Sequence, residues 1–252
     1  MSDMPEATAA ARADGPPLSL FERTVAVFVR PTRAWGGLRE RAQWWFPTLI
    51  LVIVSIAISL FLHERALIPM MAEAWDEQVA QGNMTQQQVD ATIEFMSGPA
   101  GMLITAVQQA IAIPFVVLLT ALVVWFGTGF VLGSGLKFRL ALEVAAWASL
   151  ITLPAYVLTA AIAWVRGTMR GVHVGFGALL PAMDEPTKLG IALRGFLDAI
   201  GPLAIWFVAV GVIGAATLSG KPRKVVGWVL GSLYAAVALL FSAMGGLFAP
   251  GT

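Results

Sequence analysis

Apolar residues run in long unbroken blocks along this chain: Phe46–Leu62, Met102–Leu132, Leu140–Val165, Ile200–Leu218 and Val225–Phe248. None alternates with period two, as barrel strands would, so the blocks predict helices. A hydrocarbon layer about 30 Å thick is crossed by roughly 20 helical residues, with about 17 as the lower limit. Phe46–Leu62 sits at that limit. Trp44 and Trp45 ahead of it read as aromatic anchors at the interface, and Trp35 joins them in that class. Met102–Leu132 is too long for one straight span, and Pro114 within it predicts a kink that leaves Met102–Ile113 partly outside the layer. The expected fold is all-α: a polytopic membrane protein, a bundle of five transmembrane helices with amphipathic interfacial helices.

The segments between the blocks carry helical patterning of their own. Leu18, Phe21, Val25 and Phe28 share one face of a helix that Pro31 ends, with Glu22, Arg23 and Arg30 elsewhere on the wheel. A second short helix is expected over 32–42, with Trp35 and Leu38 on one side and Arg33, Arg39 and Arg41 on others. This lead-in, residues 18–45, reads either as a packed approach to the first span or as an interfacial platform where basic residues meet anionic lipid. Residues 63–99 read as an external helical hairpin. Leu67, Met71, Trp75 and Val79 keep i, i+4 spacing, and Gly82-Asn83 makes a turn. Thr85 with Gln88 then forms a capping box, Met84 and Val89 a hydrophobic staple, and Ser97-Gly98-Pro99 a stop. Its stripe serves packing or, in the sharper reading, a partner or the membrane surface. Over 172–197 a loop leads into an amphipathic piece started by Pro186, where Arg194 and Asp198 are spaced to pair, and Gly201-Pro202 bends the chain into the fourth span. Residues 1–17 are Ala/Pro/Gly-rich with mixed charge, which predicts a disordered tail and no signal peptide. The membrane domain is thus 46–248.

Composition strengthens this picture. The 252 residues are 58% apolar and 12% charged, with a mean hydropathy of +0.79, so too little charge exists to cover a water-facing surface. A formal net charge of +1 gives no bulk attraction to a polyanion, and no nucleic-acid partner is expected. The absence of cysteine excludes disulfides, thiolate metal sites and Cys nucleophiles. Eleven of the sixteen Lys and Arg residues precede the first span or fall in the 133–139 and 219–224 turns. The positive-inside rule then sets the N-terminus in the cytoplasm and the C-terminus outside. Twelve Arg against four Lys, with no sorting signal, lean towards a bacterial inner membrane.

The chemical templates are missing. There is no phosphate-binding Gly loop, no His-Glu-x-x-His and no Gly-x-Ser-x-Gly. His63 and His173 have no neighbouring ligands in sequence, so neither metal nor cofactor is expected. Glu143, about one turn into the third span, is the one candidate intramembrane functional carboxylate. It reads as an interfacial carboxylate paired with Arg139 or as a proton or ion relay. Gln108 and Gln109 read as interhelical hydrogen-bonding groups. Gly129 with Gly133, and Gly227 with Gly231, form GxxxG pairs for close helix packing, within the chain or in a homo-oligomer.

One layout ties these features together. Pro31-x-x-Ala-Trp35 precedes Trp44-Trp45-Phe-Pro47 and the first span. Phe126-Gly-Thr-Gly-Phe-Val-Leu-Gly133 follows with a basic loop, then a third span holding Pro154. Ile205-Trp206, Gly211-x-x-Gly214 and Ser-Gly-Lys-Pro-Arg-Lys224 come before the last span. Over roughly residues 25–245 this resembles the bacterial branch of the Yip (Ypt-interacting protein) domain family. The resemblance implies five spans and a non-enzymatic role. Eukaryotic relatives act in trafficking, binding prenylated Rab-type GTPases and shaping membranes. Their Asp-Leu-Tyr-Gly-Pro motif has no counterpart here, so neither GTPase binding nor any family site residue is carried over. The expectation is a membrane-organising factor or an accessory subunit of a membrane complex, in contact with lipid and with a membrane-protein partner or further copies of itself. Its rivals are a transporter or channel component using Glu143 and, third, a lipid-modifying enzyme.

Overall fold

In the computed structural model, which describes residues 17–181 and 187–248, the chain is helical, and no strand occurs among the described residues. The expected tail, Pro17 apart, and the expected start at Pro186 lie outside the described residues. Five helical runs are long and apolar enough to cross a membrane: Trp45–Ala80, Pro99–Val131, Phe138–Arg166, Pro202–Ser219 and Arg223–Leu247. Large apolar side chains such as Ile53, Ile111, Leu122 and Phe241 stand exposed along them, the outward face of a bundle whose solvent is lipid.

The first helix among the described residues, α1 (Leu20–Val29), starts on a capping box between Ser19 and Glu22. The 31–40 segment that follows is a series of turns. The expected helix over 32–42 is absent for a physical reason. Gly37 sits at φ +74°, and the carbonyls of Ala34 and Gly36 accept hydrogen bonds from the Arg23 guanidinium, so they are not free to bond along a helix.

The first span, α2 (Trp45–Leu62), continues without interruption through a π turn at His63–Leu67 into α3 (Ile68–Ala80). The expected hairpin therefore has a first arm that is the same rod as the span, since His63-Glu64-Arg65 changes the polarity but breaks no helix. Its second arm, α4 (Gln86–Ser97), starts on the Thr85–Gln88 capping box and stops at Gly98, as the motif predicts. The next span begins with Pro99 at its first position: α5 (Pro99–Val124) passes Pro114 as one helix and ends in a π stretch, Trp125–Val131.

The third span is the hub. Helix α6 (Phe138–Ser149), a 3-10 turn at Leu150–Thr152 and α7 (Leu153–Arg166) follow one another, and every residue from Leu140 to Ile151 is buried. Ala141, Ala145, Ala146 and Ala148 make this helix thin enough for α2, α5 and α9 to close around it. Helix α8 (Lys188–Ala199) breaks at Ile200-Gly201 before α9 (Pro202–Ser219), and α10 (Arg223–Leu247) packs along both.

The close approaches in the bundle do not fall on the expected glycine pairs. A Cβ on Gly231 would meet nothing within 4 Å, and one on Gly227 only Val212 at 3.6 Å. Gly133, at φ +55°, ends the π stretch instead of packing a helix, and Gly129 faces Trp125 of its own turn. The tight contacts include Gly127 against α10, Gly214 against Trp35 and Gly246 of α10 against Lys188 and Ala192 of α8. Spacing alone marks small residues; which of them meets a partner depends on how the helices rotate.

Candidate functional site

Where the basic turns gather at one end of the bundle, a polar cluster is sealed around Glu143. The fully buried Glu143 accepts a 2.7 Å hydrogen bond at Oε1 from the Gln43 backbone N–H, and Arg139 Nη1 lies 3.6 Å from the same oxygen. The expected pairing with Arg139 is thus present, and the carboxylate is enclosed by protein. Its other oxygen, Oε2, has no hydrogen-bond partner. Trp147, one helical turn on, turns its indole towards the carboxylate without reaching hydrogen-bond geometry.

The second charge comes from α1. Arg23 is 1% exposed and spends its whole guanidinium on the protein. Nε donates to the Gln43 side chain at 2.9 Å, Nη1 to the Ala34 carbonyl and Nη2 to the Gly36 carbonyl at 2.8 Å. Its Cζ stands 5.6 Å from the centre of the Trp147 ring, within cation–π range. Burial lowers the Arg23 pKa to about 10 while the negative charge of Glu143 acts in the opposite direction, so the group stays a cation at neutral pH.

The 31–41 turns are the mortar between these charges. Arg139 donates to the Leu38 and Arg39 carbonyls at 3.0 and 2.7 Å, and Arg39 donates to the Leu218 carbonyl at 2.6 Å, a group left free at the end of α9. Trp35, 1% exposed, drives its ring into a notch at Gly214 where a Cβ would come within 2.6 Å of it. Trp35 is therefore a core residue. As an anchor it is corrected, because the lead-in folds back on the bundle and carries the indole inside. Trp44 is half-buried against the same core and Trp45 is half-exposed.

This arrangement turns α1 inside out relative to an ordinary amphipathic helix. Arg23 and Val27 face the protein. Phe21, 76% exposed, together with Val25, Phe28 and Val29, faces away. An open groove along that outer face ends at Arg30 and Arg33.

Other sequence candidates serve the bundle. Gln109 accepts a 2.7 Å bond from Ser55, joining the first two spans. His63 is buried, with Nε2 2.8 Å from the Met96 carbonyl. His173 pairs with Asp198, so the expected Arg194–Asp198 pair does not form; Arg194 donates instead to the Leu180 and Pro181 carbonyls. Arg23, Arg39, Gln43 and Gly214 are the residues that sequence reasoning did not bring to this site. No protein-family model matches the chain, and neither a curated protein nor a solved structure matches it.

Proposed function

We propose that this chain is a non-enzymatic, multi-pass protein of a bacterial inner membrane that organises the bilayer around it, with its N-terminus in the cytoplasm and its C-terminus outside. The observation that carries this reading is the reversed α1. The helix is fixed by a buried arginine and presents Phe21, Val25, Phe28 and Val29 outward next to Arg30 and Arg33. Such a face enters the headgroup layer as a shallow wedge, apolar below and cationic at the phosphates. Glu143 supports the reading through its contacts, since its bonded oxygen is committed to the turns that fix α1. The layout that resembles the bacterial Yip-domain proteins, several of whose eukaryotic relatives shape membranes, agrees with it.

The test is reconstitution of the full chain into vesicles of mixed phosphatidylglycerol and phosphatidylethanolamine, with vesicle shape read by electron cryomicroscopy. Wild-type protein is expected to narrow or tubulate the vesicles, and Phe21→Ser with Val25→Ser to lose that effect at unchanged thermal stability. Vesicles that keep their shape and size at high protein density would end the membrane-organising reading.

A further inference from the structure

The third span is interrupted and the fourth begins at a break in the chain, and both irregularities open onto one cavity. The 3-10 turn at Leu150–Thr152 divides the third span, and Ile200-Gly201 separates α8 from α9. Ser149 and Thr152 from the first break and Asp198 and Gly201 from the second line a space of about 360 Å³. Irregular backbone at membrane depth is tolerated where it is enclosed by protein or lines a cavity, and ligand sites in membrane bundles form at such broken helices. The volume falls within the range of small-molecule pockets.

The walls specify the ligand. Leu51, Val117 and Phe207 make them mainly apolar. Four of the five hydroxyls that line the space, all but that of Tyr156, have already given their hydrogens to backbone carbonyls: Thr120 to Val116, Ser149 to Ala145, Thr152 to Ser149 and Tyr234 to Ala199, at 2.7–2.9 Å. What each of these four turns to a guest is an oxygen lone pair, an acceptor. Asp198 is the one Asp, Glu, Lys, Arg or His among the lining residues, so no cation awaits an anionic head. The 173–177 loop closes one rim: His173 is hydrogen-bonded to Asp198, and Gly175 lies so tightly on Asp198 that a Cβ there would overlap its backbone.

We propose that this cavity binds a lipophilic molecule whose polar end donates hydrogen bonds, a medium-chain alcohol or amine, with its hydrocarbon body between the spans. No residue of α1 lines the space, and the proposal stands independently of the membrane-organising reading.

The experiment uses full-length protein in phosphatidylcholine nanodiscs with radiolabelled 1-decanol, decylamine and decanoate. A saturable component above the linear partition into lipid is expected for the alcohol or the amine, and binding of decanoate at least tenfold weaker. Saturation by either donor supports the proposal, and a preference for the amine assigns Asp198 as its partner. Ala155→Phe and Ala204→Phe, which fill the space, are expected to abolish saturation, and Thr152→Val to weaken it at least threefold. Decanoate binding as tightly as both donors would overturn the proposal in favour of an anion held at the N-terminus of α9. So would the absence of any saturable component. Should the filled variants fail to fold, a diazirine-bearing decanol on the wild-type chain decides. Adducts at Val116, Thr152 or Tyr156 support the cavity, and adducts confined to lipid-facing positions such as Leu118 and Leu122 refute it.

Discussion

Arg23 holds the N-terminal helix by three different acceptors at once, and only a planar guanidinium reaches them all. Arg23→Met would leave the carbonyls of Ala34 and Gly36 without their donors in an enclosed space. Hydrogen bonds to charged groups contribute about 1.5–3 kcal/mol and a buried polar atom left unpaired costs a similar amount. We expect a loss of about 2–4 kcal/mol in unfolding of the detergent-solubilised protein, with faster amide exchange across α1. Arg23→Lys should recover little of it, because an ammonium cannot span the three sites. In the first turn of the same helix, one residue before Arg23, the interaction is titratable. The Ser19 hydroxyl and backbone N–H hold the Glu22 carboxyl below its ordinary 4.5. A lowered acid pKa contributes stability that is fully present above 4.5 and is lost as pH falls through the lowered value. Protection of the first turn of α1 against amide exchange, taken relative to an unstructured chain at the same pH, should therefore fall in acid, and Glu22→Gln, which keeps the capping geometry, should flatten that pH dependence.

At the scale of elements, Gly214 and Gly231 make opposite predictions from the same residue type. A methyl at Gly214 collides with a buried indole that has nowhere to go, so Gly214→Ala should cost about 1–3 kcal/mol. Gly231 meets nothing, and Gly231→Ala should leave stability unchanged or raise it by up to about 1 kcal/mol through helix propensity. Thermal unfolding of the pair checks both. These positions also mark how far the sequence could be read. The five spans and the α4 capping box were legible because they rest on local periodicity and on one spacing of polar caps. Ser19 and Glu22 carry the same cap signature, so the start of α1 was open to the same reading. The inward face of α1 was not legible. In water the apolar stripe of a helix is its buried stripe, but beside a bilayer the apolar face has a second apolar solvent to enter. Of the partners of the buried carboxylate, Arg139 was legible four residues away, but Gln43, 100 residues from Glu143, was not, and the turns between Pro31 and Glu40 take their shape from an arginine outside them. The polar stretch after Leu62 marked where lipid should end, which is different information from where a helix ends.

The whole molecule has two chemically distinct ends. Arg39 on the Leu218 carbonyl and Arg139 on the Leu38 carbonyl bind the lead-in, the 133–139 turn and the end of α9 into one basic pole. At the opposite pole Arg65 donates to the Trp164 carbonyl and lies 4.4 Å over its ring, while Arg170 reaches Glu73 and Glu77. Exposed pairs of this last kind contribute little to stability, so the polarity of the bundle matters for insertion more than for folding. With Lys and Arg concentrated at one pole, that pole should stay on the cytoplasmic side. Because the chain has no cysteine, single substitutions report cleanly on this. Ala42→Cys and Lys224→Cys sit at the basic pole, and Asn83→Cys and Ala178→Cys at the other, all at exposed positions. A membrane-impermeant maleimide added to intact spheroplasts is expected to label positions 83 and 178 at once, and positions 42 and 224 only after permeabilisation. The reverse pattern would invert the orientation and leave the bundle intact. Labelling of 42 and 224 from opposite sides would be far more serious, since no single set of five crossings could then hold Arg39 against the end of α9.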